Sequence, residues 1–243
     1  MAKTKYWEER YYPQPTEEEL QRNAAATAQK ARKKGQRLTP VFISGRKIAK
    51  SWWGQAWCDN LKRYADYETR LPRGQRYVRS GAVVDLQIQK GRILARVQGS
   101  RKIPYKVEIR ISPLSQEHCD EIMERCGSRA DSLESLLSGS FPEPLKDVFL
   151  GDRGLFPKPR EISFGCSCPD WAMMCKHVAA ALYGVGARLD EDPLVFFTLR
   201  GIDTDHFVDV AIANHIERML ANADKPSGRI MENAGWEDLF GVL

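Results

Sequence analysis

Four residues of the chain have the types and the spacing to do chemistry together. Cys166, Cys168, Cys175 and His177 stand as C-x-C, six residues, C-x-H within Phe164-Gly165-Cys166-Ser167-Cys168-Pro169-Asp170-Trp171-Ala172-Met173-Met174-Cys175-Lys176-His177. In an extended chain residues i and i+2 point to one side, so Cys166 and Cys168 can offer both sulfurs to one point. On an α-helix two residues apart means about 200° around the axis, so the second pair must stand just before or at the start of the helix predicted from Lys176 to Tyr183. Three thiolates and one imidazole form a closed tetrahedral set, which is the pattern of structural zinc, because no position is left for water or substrate. Soft donors favour Zn2+ over magnesium or calcium, which take oxygen. Two alternatives stay open. An iron–sulfur cluster usually takes four cysteines, and no other cysteine is near in sequence. A redox C-x-C pair is the second, and the adjoining Cys175 and His177 speak against it.

Little else in the sequence offers a reaction. There is no Gly-Lys phosphate loop, no H-E-x-x-H and no open metal site, so no enzyme and no small-molecule substrate are expected. Cys58, Cys119 and Cys126 lack a full ligand set; Cys119 and Cys126, seven apart on one helical face, read as buried thiols, with His118 unable to complete a second site. His206 and His215 read as surface or core histidines.

The elements that must hold the motif form an α+β fold: an antiparallel β meander with flanking helices plus a small zinc finger. A capping box, Thr16 and Glu19, opens a polar helix that closes at Gly35; with only Leu20 and alanines as apolar groups it reads as an exposed arm. Its Lys30, Arg32, Lys33 and Lys34 also suit the negative end of the helix dipole. Trp53, Trp57, Leu61 and Tyr64 recur at helical spacing over Ser51 to Tyr64, a core face rather than a base-stacking platform. From Arg76 to Ile111 the alternation of Val84, Leu86 and Ile88, the Lys90-Gly91 turn, and Val107, Ile109 and Ile111 read as the meander. Its polar face and approach loop carry Arg73, Arg76, Arg92, Arg96 and Arg101, the candidate phosphate contacts. Short helices are predicted over Ser115 to Cys126, Ser128 to Leu137 and Asp205 to Leu220, with Pro142, Pro144, Pro157 and Pro159 bracketing an irregular segment before the motif. The expected division is 1–40 as a basic helical arm, 41–150 as an α+β domain with the antiparallel sheet, 151–204 as zinc finger and following helix, and 205–243 as a C-terminal helical tail. In that tail Trp236, Leu239 and Phe240 fall at i, i+3 and i+4, suited either to a partner's groove or to this chain's own core.

Charge divides along the chain. Of 243 residues, Met1 to Arg110 hold 25 Lys and Arg against 10 Asp and Glu, and the remainder 12 against 22, for a net +5. The basic half favours a polyanion such as DNA or RNA, or simply a face attracted to the acidic half; the acidic half suits a basic protein partner. The longest uncharged apolar stretch, Val178 to Ala187, is far short of the roughly 20 residues a membrane helix needs, and the first residues lack the apolar core of a secretory signal. A cytoplasmic location without membrane contact is expected, where cysteines serve as thiols or ligands.

The motif closely resembles the SWIM zinc finger, C-x-C-x(n)-C-x-H, whose bacterial members often read Cys-Ser-Cys-Pro-Asp-Trp before Cys-Lys-His. The matching positions are Cys166, Cys168, Cys175 and His177. Outside the motif, Trp52-Trp53-Gly54-Gln55-Ala56-Trp57, the Arg70 to Gly81 run, Val97-Gln98-Gly99-Ser100, and Asp192-Pro193 through Leu199-Arg200-Gly201 also resemble bacterial SWIM zinc-finger proteins. The resemblance implies zinc binding and a role in DNA-binding or protein–protein contact, often beside a helicase-like remodelling ATPase. Nucleic-acid contact ranks first among these expectations, an adaptor for such an ATPase second.

Overall fold

In a computed structural model the chain is described over residues 14–127, 145–151 and 153–203, with residues 205, 209, 212, 213, 216, 217, 219 and 220. The predicted helix over Ser128 to Leu137, Pro142 and Pro144, His206 and His215, the tail residues Trp236, Leu239 and Phe240, and the start of the basic arm lie outside the described residues.

Among the described residues seven α-helices accompany one antiparallel sheet, an α+β fold. The helices are α1 (Glu17–Lys33), α2 (Trp52–Asn60), α3 (Arg70–Arg79), α4 (Gln116–Gly127), α5 (Lys146–Leu150), α6 (Lys176–Glu191) and α7 (Val195–Arg200). The strands are β1 (Val83–Gln89), β2 (Arg92–Val97), β3 (Tyr105–Ile111) and β4 (Ile162–Cys166), ordered β1-β2-β3-β4. The meander is present, and β4 extends it: Ile162 pairs with Ile111 and Cys166 with Val107. The strand that carries Cys166 is thus the fourth strand of the sheet, and side-chain alternation places Cys166 on the same face as Val107, Ala95 and Leu86.

On that inner face lies α6, whose twelve buried residues include Val178, Leu182, Val185 and Leu189. A helix apolar all round must be enclosed, and α2 and α3 enclose it on the side away from the sheet. Both crossings run through glycine. A Cβ on Gly74 would come within 2.5 Å of the Ala179 Cβ, and one on Gly186 within 2.6 Å of the Cys58 sulfur. Trp57 is fully buried and its indole N–H donates to the Leu182 carbonyl at 2.8 Å, while Trp53 does the same to Leu189 at 2.8 Å. The two indoles thereby bury large area with no unpaired donor. Asp190, from the end of α6, accepts from Ser51 N at 3.0 Å and from the Ser51 hydroxyl, fixing the start of α2.

Two expectations are corrected. Arg70 to Arg79, read as an approach loop and the start of the meander, is helix α3. Its Pro72 sits in the first turn, where a missing N–H costs nothing, and its core face is Leu71, Gly74 and Val78, so the residue at the crossing is one that no apolar pattern registers. Helix α1 is not an exposed arm: Leu20 is fully buried, Ala24 and Ala31 are buried, Asn23 donates to Gly99 O at 3.3 Å and Thr27 to Gln98 Oε1 at 2.8 Å. Small alanines permit close docking that a hydrophobicity count undervalues.

Candidate metal centre

Strand β4 ends at Cys166, and the chain leaves the sheet through a turn held to β3, where Lys106 N donates to Ser167 Oγ at 3.0 Å and Ser167 N to Lys106 O at 3.0 Å. Cys168 follows, then a loop to Cys175, the N-cap of α6, with His177 in its first turn. The structure brings all four residues together: one ligand atom from each lies within 4.8 Å of every other. The His177 Nδ1 is 3.9 Å from the sulfurs of both Cys166 and Cys175, so Nδ1 is the nitrogen that faces them. Metal–sulfur bonds of about 2.3 Å and metal–nitrogen bonds of about 2.0 Å around a tetrahedral ion require ligand separations of about 3.5–3.8 Å; the 3.9 Å contacts of His177 nearly meet that range, and the remaining separations, none above 4.8 Å, reach it by contracting up to about 1 Å. The donor set could hold a metal ion.

The electrostatics of the cluster suit ligation. Backbone N–H groups of Cys168 and Asp170 donate to the sulfurs of Cys166 and Cys168, respectively. The hydrogen bond between Cys166 and Cys168 pushes the Cys166 thiol up and pulls Cys168 down. Burial holds His177 below its usual range, so the ring is neutral at pH 7 with a lone pair to give. By contrast, burial pushes the Cys58 and Cys126 thiols up to about 12, which keeps them protonated.

What surrounds His177 was not legible in the motif. Its ring stacks on Tyr105 (centroids 4.1 Å apart, 27°) and meets the edge of Tyr77 at 5.4 Å. Nε2 is buried with no hydrogen-bond partner. Metal-bound histidines usually have their second nitrogen fixed by a hydrogen bond; packing between two tyrosines orients this ring instead. Gly99 closes the shell, since a Cβ there would come within 2.7 Å of the Tyr105 ring and 3.5 Å of His177 Nε2. The loop between the ligand pairs is pinned from α3 and the turn before it. Asp66 accepts from Met173 N at 2.8 Å and Met174 N at 3.1 Å, and Arg70 pairs with Asp170 at 3.1 Å. Trp171 and Met173 remain 78% and 70% exposed at the loop tip, Trp171 edge-on to Tyr67 at 5.2 Å.

The five candidate arginines separate into two groups. Arg92 and Arg96 lie on the outer sheet face and each has a carboxylate: Arg92 meets Glu108 at 2.9 Å, a carboxylate shared with Arg110, and Arg96 meets Asp85 at 3.6 Å. Arg73, Arg76 and Arg101 border the metal centre through its tyrosines. The Arg101 guanidinium stands 5.5 Å from the Tyr105 ring centre and that of Arg76 6.0 Å from Tyr77, and Arg73 is close enough to act on the Tyr77 hydroxyl. Among the described residues no carboxylate pairs with these three.

Fold and centre together define an α+β protein with a closed Cys3His cluster at the junction of a sheet and a buried helix. Among curated proteins the chain is 39% identical over 156 residues to "Uncharacterized protein Rv2102" of Mycobacterium tuberculosis (strain ATCC 25618 / H37Rv), an alignment covering 63% of this chain and 56% of that relative. The chain thus spans about half the length of the relative it matches. No family model and no solved structure matches it. Among the described residues no helix is long and apolar enough to cross a membrane.

Proposed function

We propose that the chain is a non-enzymatic module of the SWIM zinc-finger type that holds one structural Zn2+ and contacts nucleic acid through a basic surface beside it. The closed set of three sulfurs and one imidazole nitrogen within 4.8 Å carries this reading. Soft ligands select zinc over oxygen-seeking cations, and a filled tetrahedron leaves no site for an activated water. The ion's task is to join β4 to α6 and to keep α3 and the 98–101 loop in place. The basic surface is narrowed to Arg73, Arg76 and Arg101, because Arg92 and Arg96 already have carboxylate partners. Titration of the zinc-loaded chain against single- and double-stranded DNA and RNA over a salt series tests the reading. Binding that weakens steeply with salt and is lost on chelation supports it; no binding at low salt refutes it.

A second reading, an adaptor for a helicase-like ATPase, draws on one observation. Trp171 and Met173 project from a pinned loop beside Tyr67 of the turn before α3, and exposed aromatic and methionine side chains on a rigid support suit a protein hot spot. Loss of co-purification of such an ATPase on Trp171→Ala, with zinc content unchanged, would favour it.

A further inference from the structure

A cavity of about 330 Å³ opens where α2, α3 and α6 meet the 46–49 segment. It belongs to the flank of α3 that faces away from the metal centre. At about 100° per residue, Gln75 and Arg79 fall on one side of the Gly74–Val78 core face, and Arg73 and Tyr77, which touches His177, fall on the other. Four cations line the cavity: Arg46 and Lys47 from the segment, Lys62 from the turn after α2, and Arg79 from the end of α3. All four are exposed, so a solute can reach them. The Arg79 guanidinium donates to the Arg46 carbonyl at 3.1 Å and closes the rim between helix and segment.

Asp59 is the one carboxylate in the lining, and none of the four cations forms an ion pair with it or with any other described carboxylate. Like charges around one hollow repel, and an anion held between them offsets that repulsion. Tyr183 of α6 lies at the floor, buried. It accepts from Gln75 Nε2 at 3.0 Å, and its own proton has no acceptor among the described residues. Burial pushes this hydroxyl above the ordinary tyrosine range, so the proton stays available to donate.

We propose that the cavity is a binding site for a small phosphorylated polyol, its phosphate held by Arg46, Lys47, Lys62 and Arg79 and its hydroxyl groups met by Asp59 and Tyr183. Charge-assisted bonds from guanidinium and ammonium groups are the strong way to hold a phosphate, and a carboxylate beside them is useful only to a ligand that also brings donors. Tyr183 is the only aromatic side chain in the lining, and it is buried, so no platform awaits a nucleobase. The volume stands at the small end of ligand pockets, about 300–1,000 Å³, which suits a ligand the size of a pentose phosphate. This site is independent of the nucleic-acid surface, since it shares none of Arg73, Arg76 and Arg101.

Calorimetric titration of the full zinc-loaded chain tests the assignment. The probes are ribose 5-phosphate, inorganic phosphate, ribose, and an oligothymidylate of about 20 nucleotides as competitor. Ribose 5-phosphate should bind once per chain, more tightly than inorganic phosphate, and ribose should not register. Lys62→Met and Arg79→Met should each weaken ribose 5-phosphate about tenfold, the loss of one charge-assisted bond, while Lys33→Met, an exposed cation outside the cavity, should match the parent. Asp59→Asn should weaken ribose 5-phosphate and leave inorganic phosphate unchanged or tighter. No binding of ribose 5-phosphate, or binding equal to the parent's in both Lys62→Met and Arg79→Met, overturns the site. Equal affinity for ribose 5-phosphate and inorganic phosphate, with Asp59→Asn silent, overturns the polyol assignment. Displacement of ribose 5-phosphate by the oligothymidylate overturns the small-ligand assignment, because the cavity would then be part of a strand-binding surface.

Discussion

Three thiolates outweigh the two charges of a divalent cation, so the centre needs donors around it, and the backbone N–H groups of Cys168 and Asp170 supply them. Because binding energy at such a site is also folding energy, Cys166→Ala and His177→Ala should each lose the metal and lower the melting temperature, as metal analysis with a thermal melt would register. The tyrosine shell leads to a subtler expectation. Gly99→Ala drives a methyl group into Tyr105 and tilts the ring stacked on His177, so zinc affinity measured by chelator competition should fall by about 10–100-fold, the range for losing a supporting group around a metal ligand. An acid limit follows from His177. Its folded value lies below the ordinary 6.5, so as pH falls through 6.5 the unfolded chain takes the proton first. Stability of the metal-free chain is therefore present above 6.5 and lost as pH drops below it; with zinc stripped by chelator, the urea midpoint should be lower at pH 5.5 than at pH 7.5, and His177→Gln should flatten that difference.

Packing of whole elements explains which parts of the fold could be read in advance. The ligand pairs were legible because their two-residue spacing allows few backbone paths, and the meander because its apolar residues alternate. Helix α3 was hidden by a crossing residue, Gly74, that contributes no hydrophobicity, and by an arginine run that resembles a loop. Strand β4 was hidden as a sheet member because partner choice depends on contacts more than fifty residues away in sequence, Val107 with Cys166 for one. The same crossing makes a prediction whose sign is contested. Alanine is the better helix former by about 1 kcal/mol, yet a Cβ on Gly74 would press within 3.0 Å of the α6 backbone as well as on Ala179. Overpacking of that kind costs about 1–3 kcal/mol and should prevail, so Gly74→Ala should lower the urea midpoint. Trp57→Ala, which removes a fully buried ring and leaves the Leu182 carbonyl without its indole donor, should cost about 3–5 kcal/mol in the same assay.

At the scale of the molecule the described core is continuous from Leu20 of α1 to Ile202, and the metal centre sits where its layers meet. Arg200 ties the far end of that junction. It is buried, pairs with Glu161 at 3.1 Å and donates to Ser112 O at 2.8 Å, linking α7 to the start of β4 and the end of β3. Charge is also arranged at this scale: on the outer sheet face Arg92 and Arg110 share Glu108 and Arg96 meets Asp85, while the metal-centre side carries arginines that no described carboxylate meets. The central claim, a closed Cys3His zinc centre, is most directly tested by X-ray absorption at the metal edge on protein purified without chelator. One zinc per chain, with three sulfurs at about 2.3 Å and one nitrogen at about 2.0 Å, is the predicted result. Iron at the edge, or a zinc shell in which an oxygen replaces one of these ligands, would contradict it.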